Sequence, residues 1–262
     1  MADPAVPPRI AGSHERRAGH AVWVRVCHWV AAVSLLTLAT TGFVILMAHP
    51  RLYWGKAGND LMPALLELPI SNNHRPEGWQ RTEVFTELAS APISANRTYE
   101  IFNQNGWGRS LHFLAGWLLV VTGAIYIAAG LVTRHVFRDL LPRGRDLKLR
   151  ALLQDIRGHL RMQLGSAGAG APYGPLQKWA YATVTFVAVP LMVVTGLAMS
   201  PAVTAAHPIL LDLFGGQQSA RTVHFFGFAA LLLFVIVHVT MVAMTGARRQ
   251  LRAMTVGNRH ER

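Results

Sequence analysis

The chain has 262 residues, 52% of them hydrophobic and only 15% charged, yet it carries a formal net charge of +12. A basic soluble protein built for nucleic acid would spread its arginines along a face; here they are confined to a few segments, which excludes nucleic acid as a partner. Residues 26–48, 110–133, 179–200 and 222–245 contain no Asp, Glu, Lys or Arg, and each is long enough to cross a bilayer. The pattern predicts an all-α integral membrane four-helix bundle with a long outer loop.

Residues 1–20, with Pro4, Pro7 and Pro8 among a few charges, read as an unstructured lead-in. The first span is expected over about 22–48, with His28 near its start and Trp23 and Trp29 in the interfacial belt. Its apolar run exceeds that of a signal peptide and no small-residue cleavage site follows, so a retained span is expected. The loop 49–108 is rich in aromatics, including Tyr53, Trp54, Trp79 and Trp107, and holds the apolar run LMPALLEL. That run reads as an amphipathic surface helix, and the loop as either a cap or a docking surface.

The second span, about 109–133, places His112 near its outer end. In the basic loop 134–178, the stretch LKLRALLQDIRGHLRMQL reads as a surface helix beside anionic lipid headgroups. The Gly/Ala run 165–171 reads as a connector. The third span, about 179–200, has no histidine, and Pro190 is placed to kink it. The fourth span, about 221–245, carries His224 and His238, and a basic tail, 247–262, closes the chain.

Positive charge sets the expected orientation. Residues 1–25 carry four arginines against two acids, 134–178 nine basic residues against three acids, and 246–262 five against one. By contrast, 49–108 hold five basic and six acidic residues, and 201–220 only Asp212. Both termini are therefore expected in the cytoplasm. Cys27 is the only cysteine, which leaves no intramolecular disulfide and no zinc cluster. The Cys-x-x-Cys-His signature of covalent haem is absent as well.

Ionisable groups inside spans are costly and mark functional sites by default. His224 and His238 are fourteen residues apart, so they share one helix face about 21 Å apart along the axis. Depth along the spans pairs them with partners: His28 lies at the level of His238, and His112 at the level of His224. Facing neutral imidazoles are what a six-coordinate haem iron needs. His28, His112, His224 and His238 are thus the candidate axial ligands of two noncovalent haems. Arg-x-x-His occurs at Arg25, Arg109 and Arg221, and each arginine falls one turn nearer water than its histidine, suited to a haem propionate; for Arg25 a positive-inside anchor is an equal reading. Thr-Gly recurs at Gly42, Gly123, Gly196 and Gly246, where small residues admit a flat macrocycle or serve helix packing. His14, His20, His49, His74, His135, His159, His207 and His260 read as solvated, with His49 and His135 the substitutes should a pair be misassigned.

With these residues the chain resembles the membrane cytochrome b subunits of bacterial nickel-iron hydrogenases, formate dehydrogenases and thiosulfate reductases. The resemblance covers all four spans and rests on one histidine from the first, one from the second, none from the third and two from the fourth. It implies two haem b groups, ligated by His28 with His238 and by His112 with His224. It further implies electron transfer between a periplasmic redox subunit, such as a molybdopterin oxidoreductase or hydrogenase, and quinone in the bacterial inner membrane. The loop opening HPRLYWG resembles the thiosulfate reductase branch, and its length departs from the compact hydrogenase and formate dehydrogenase anchors. A stand-alone dihaem quinone-linked oxidoreductase acting on superoxide or another small oxidant is the alternative. A haem-free histidine-lined transporter is a third reading, opposed by the lack of acids in the spans.

Overall fold

The structure, a computed structural model, describes residues 20–59, 62–70, 105–161 and 174–257. Residues 1–19, the loop portion 71–104, the connector 165–171 and the end of the tail lie outside the described residues. In hydrocarbon every backbone polar group must be satisfied within the segment, so charge-free runs of this length become helices. Helix α1, Val22–Ala48, is the first: its 27 residues rise about 40 Å, more than the roughly 30 Å apolar layer. Its hydroxyls bond back into the helix, Ser34 to the Val30 carbonyl at 2.8 Å and Thr41 to that of Thr37 at 2.7 Å.

After α1 the chain forms a two-stranded antiparallel hairpin, β1 (Arg51–Leu52) with β2 (Leu66–Glu67), pairing Arg51 with Glu67 and Leu52 with Leu66. The LMPALLEL run is therefore not a surface helix: β2 lies in it. Pro63 has no amide to donate, and the run instead bonds to the start of the loop, Leu65 N–H to the Leu52 carbonyl at 2.7 Å and Leu68 N–H to that of Pro50 at 3.0 Å.

Helix α2, Asn105–Val132, returns across the membrane and stops two residues before Arg134, whose left-handed backbone (φ 57°) reverses the chain. A π-helical turn, Val136–Leu140, and a 3₁₀ turn, Gly144–Leu147, lead to the amphipathic helix α3, Leu149–Leu160, as expected for the basic loop. The third span is built from α4 (Pro175–Thr183), a π-helical turn (Val184–Ala188) and α5 (Val189–Ala198). The wide turn precedes Pro190, which has no amide for the regular ladder and whose ring would crowd a regular α-turn. Two short helices, α6 (Pro201–Ala206) and α7 (Ile209–Phe214), join it to the fourth span, α8 (Gln217–Met244), and α9 (Ala247–Thr255) follows.

Among the described residues four helices are long and apolar enough to cross a membrane, Val22–Ala48, Gly106–Val132, Pro175–Ala198 and Gln217–Met244. The third and fourth spans begin at residues 175 and 217, four residues before the starts expected at 179 and 221, and the second is already helical at residue 105. Arg109, Lys178 and Arg221 or its neighbours marked the edge of the apolar run, but long basic side chains extend toward water while their backbone stays helical, so the helix begins a turn earlier.

The bundle has a terminal end, where α1 begins and α8 finishes, and a loop end, where the hairpin sits. Close burial concentrates at the loop end, where Met47, Leu52, Ser219, Ala220 and Thr222 are at most 2% exposed. Small residues carry helix contact in membranes because they let backbones approach. The hairpin is clasped onto the start of α8: the Gly55 carbonyl accepts from the amides of Gln218 and Ser219 at 3.1 and 3.3 Å, its amide donates to Ser219 Oγ at 2.7 Å, and the Thr222 hydroxyl donates to the Tyr53 carbonyl at 2.6 Å. These bonds satisfy amides that a helix start leaves without partners. Gly216, at φ 134°, makes this approach possible, since a Cβ there would fall 2.4 Å from the Gly55 oxygen. At the terminal end the Trp29 indole donates to the Met254 carbonyl at 2.9 Å and Arg25 Nη1 to that of Thr255 at 2.8 Å, seating α9 against α1.

Candidate functional site

Helix α8 supplies a histidine to each end of the bundle, and two different helices meet it. At the terminal end the rings of His28 on α1 and His238 on α8 have centroids 6.3 Å apart with planes inclined by 54°. At the loop end the rings of His112 on α2 and His224 on α8 are 6.4 Å apart and inclined by 58°. The structure thus brings together the pairs that depth along the spans predicts.

The loop-end pair is held by hydroxyls. Thr41 Oγ1 lies 2.9 Å from His112 Nδ1, and Thr195 Oγ1 lies 2.8 Å from His224 Nδ1; both threonines are buried. Each is followed by a glycine against the same ring. A Cβ on Gly42 would stand 3.3 Å from His112 Cε1, and one on Gly196 3.6 Å from His224 Cε1. The terminal-end pair is held by rings. His238 stacks on Phe234, one turn back, at 6.0 Å and 17°, with the Tyr181 ring edge-on at 6.4 Å. His28 meets Trp29 edge-on at 5.4 Å, and its buried Nδ1 has no hydrogen-bond partner among the described residues.

Of the candidate propionate partners Arg25, Arg109 and Arg221, two bond to helix ends. Arg221 Nη2 donates to the carbonyl of His49, the residue that closes α1, and Arg25 donates to the Thr255 carbonyl at the end of α9. Cations suit these positions because the last carbonyls of a helix lack partners and carry its negative pole. The buried Nε of Arg25 has no partner among the described residues, and Arg109 is exposed at the start of α2.

Neither substitute histidine joins a pair. His135 lies past the end of α2, its Nδ1 2.8 Å from Asp139 Oδ2 and its Nε2 3.4 Å from the Tyr126 hydroxyl, with the Trp23 ring edge-on at 5.6 Å. Burial alone would raise the Asp139 carboxyl, but bonds from Arg138 and His135 outweigh it and hold the group below the usual carboxylate range. Burial, then the charges of His135 and Arg25, lowers the nearby His20 imidazole, with Asp139 opposing. His49 is exposed and offers its carbonyl to Arg221. His207 is exposed after α6. His14, His74 and His260 lie outside the described residues.

The donor sets can be tested against the group they suggest. Among the described residues no cluster of three or more His, Cys, Asp or Glu forms, so each site offers two facing nitrogens and not the three or four ligands of a zinc centre. Two metal–imidazole bonds of about 2 Å plus the two ring radii come to about the observed centroid separations. Glycines leave room beside the loop-end rings, and the unpaired His28 Nδ1 shows a buried polar atom still to be satisfied. The residues fit an iron macrocycle held between paired histidines.

Residues 19–257 match the family described as prokaryotic cytochrome b561. The chain is 30% identical over 246 residues to a putative protein-methionine-sulfoxide reductase subunit YedZ1 of Azospira oryzae, an alignment covering 94% of this chain and all of that protein. It is 25% identical over 231 residues to a probable Ni/Fe-hydrogenase B-type cytochrome subunit of Bradyrhizobium diazoefficiens, covering 82% of this chain and 73% of that one. No solved structure matches it. The apolar helices, the facing histidines and this match over nearly the whole length lead to one conclusion: the chain belongs to the prokaryotic cytochrome b561 family, as a multi-pass bacterial membrane subunit for electron transfer.

Proposed function

We propose that the protein is a dihaem b-type cytochrome passing electrons between a peripheral redox subunit at the loop end and quinone in the membrane. The observation that carries this reading is the pair of facing histidine sets at one ring separation, 6.3 and 6.4 Å, built on a single helix. His28 with His238 and His112 with His224 hold the two groups, which when bound supply reversible one-electron chemistry. Lipid-facing side chains such as Leu36, Leu114 and Leu233 keep the bundle in the apolar layer, and the clasped hairpin keeps water from the loop-end rings. Arg25, Arg109 and Arg221 stand a turn nearer the bundle ends, where haem carboxylates would meet them; a guanidinium has five donors, so a helix carbonyl and a carboxylate can share one.

The excess of basic residues in 1–25, 134–178 and 246–262 supports a terminal end in the cytoplasm and a loop end in the periplasm of the inner membrane. Two similar proteins are named as subunits, one of a methionine-sulfoxide reductase and one of a Ni/Fe-hydrogenase. That supports a periplasmic redox partner for this chain, a molybdopterin oxidoreductase or a hydrogenase by class. Haem quantitation with a reduced-minus-oxidised spectrum tests the reading, with two noncovalent haems per chain expected. No haem in protein made with adequate haem supply would overturn it and favour the haem-free transporter. Co-purification of a second redox protein supports the subunit role. Two haems with quinone reduction by superoxide and no partner would favour the stand-alone oxidoreductase.

A further inference from the structure

The third span carries no histidine, yet it touches the loop-end pair as closely as the first span does. A threonine hydroxyl has one hydrogen and accepts through its lone pairs. Thr41 directs its hydrogen to the Thr37 carbonyl at 2.7 Å, and Thr195 does the same to the Leu191 carbonyl at 2.7 Å. With the proton committed, each oxygen can only accept from the imidazole Nδ1 it faces at 2.9 or 2.8 Å. Each ring is therefore protonated at Nδ1, which leaves Nε2 with the lone pair.

The arrangement occurs twice in the same form. Thr-Gly lies near the loop end of one span, and Arg-x-x-His opens the span that follows: Thr41 and Gly42 serve His112, and Thr195 and Gly196 serve His224. The other two Thr-Gly steps do not share it. Thr245 bonds within its own helix to Met241 at 2.7 Å, and a Cβ on Gly123 or Gly246 would meet nothing within 4 Å.

We propose that the Thr41/Gly42 and Thr195/Gly196 steps are positioning devices that lock His112 and His224 in the Nδ1–H form, presenting Nε2 as the metal-binding nitrogen of the loop-end site alone. The third span thus belongs to the site without contributing a ligand. Hydrogen bonding at the far nitrogen fixes ring orientation and raises ligand basicity, which favours the oxidised metal. The proposal rests on the haem reading above, and its test separates the two. Redox titration and low-temperature electron paramagnetic resonance of the full-length protein would compare Thr41→Val, Thr195→Val, Thr41→Ser and Thr195→Ser, with Thr245→Val as control.

The valine variants keep the shape and lose the hydroxyl, and each should raise the midpoint potential of one haem and shift its ferric signal. The other haem should stay unchanged, and serine should restore the native values. Loss of the loop-end haem in the valine variants with retention in the serine variants supports the same role. Native potentials and signals in fully loaded valine variants would overturn it, as would serine variants that fail where valine variants succeed, since the γ-methyl would then be what matters. A native protein without haem would instead overturn the haem reading itself.

Discussion

The two histidine pairs share a helix and a ring separation, yet they are built in opposite ways. At the loop end polar bonds from two neighbouring spans fix both rings, under a hairpin clasped to the start of α8. At the terminal end aromatic faces and edges do the holding: Phe234, Tyr181 and Trp29 surround the pair, and His28 Nδ1 lies buried without a bond among the described residues. A hydrogen bond selects one tautomer and one ring angle, whereas stacking selects a plane and leaves the proton's position open. Two pairs of the same residue type thereby differ in how firmly the far nitrogen is held, a difference that would set unlike donor strengths in the relay proposed above.

Removing a ligand is the strongest way to break the comparison. His224→Ala should lose the loop-end haem and keep the other, and His238→Ala should do the reverse, as read by haem content and by which midpoint disappears. Equal retention of both haems in His224→Ala would dissolve the pairing. Loosening the clasp comes next. Thr222 is fully buried and bonds to Tyr53, so Thr222→Val should cost about 0.5–1.5 kcal/mol, through the hydrogen bond lost, seen as a lower melting temperature. Reductant should then reach the loop-end site faster and the terminal-end site at an unchanged rate.

A third effect depends on pH and belongs to the terminal end. The Asp139 carboxyl is held below its ordinary range in the folded state, so its contribution is present above the unfolded value, about 4, and is lost as the pH falls through the lower folded value. The melting temperatures of the native protein and Asp139→Asn should therefore differ near neutrality and converge in acid; a constant gap would show that the charge is irrelevant. The smallest effect is expected from Phe234→Leu. It removes an aromatic face worth about 0.5–1.5 kcal/mol and should move only the terminal-end potential.

Much of this was legible in the sequence because a membrane forces the issue. Charge-free runs must be helices, and depth along an antiparallel span can be counted, so the histidines that share a depth are also those whose rings lie 6.3 and 6.4 Å apart. What failed to show were distant partners that depth along a span does not mark. LMPALLEL has the composition of a surface helix, but Leu66 pairs with Leu52 instead. Arg-x-x-His fixes the height of an arginine, yet nothing local reveals that the nearest acceptors for Arg25 and Arg221 are the ends of α9 and α1. The Thr-Gly repeat was visible, but attention to the small glycine hid the hydroxyl beside it. Only the loop-end contacts separate the two threonines that face a histidine from Thr245, which does not.

Because His224 and His238 ride on one uninterrupted helix, Gln217–Met244, the two sites have a common mechanical axis. Rotating or sliding α8 displaces both at once, and no movement of that rod adjusts one without the other. The length between them is also quantised: inserting one residue would turn one ring by about 100° relative to the other, and steps of about seven or eleven residues are needed to return it near the same face. The interval between these histidines is therefore a gauge length, fixed by helical pitch as firmly as by the chemistry at either end.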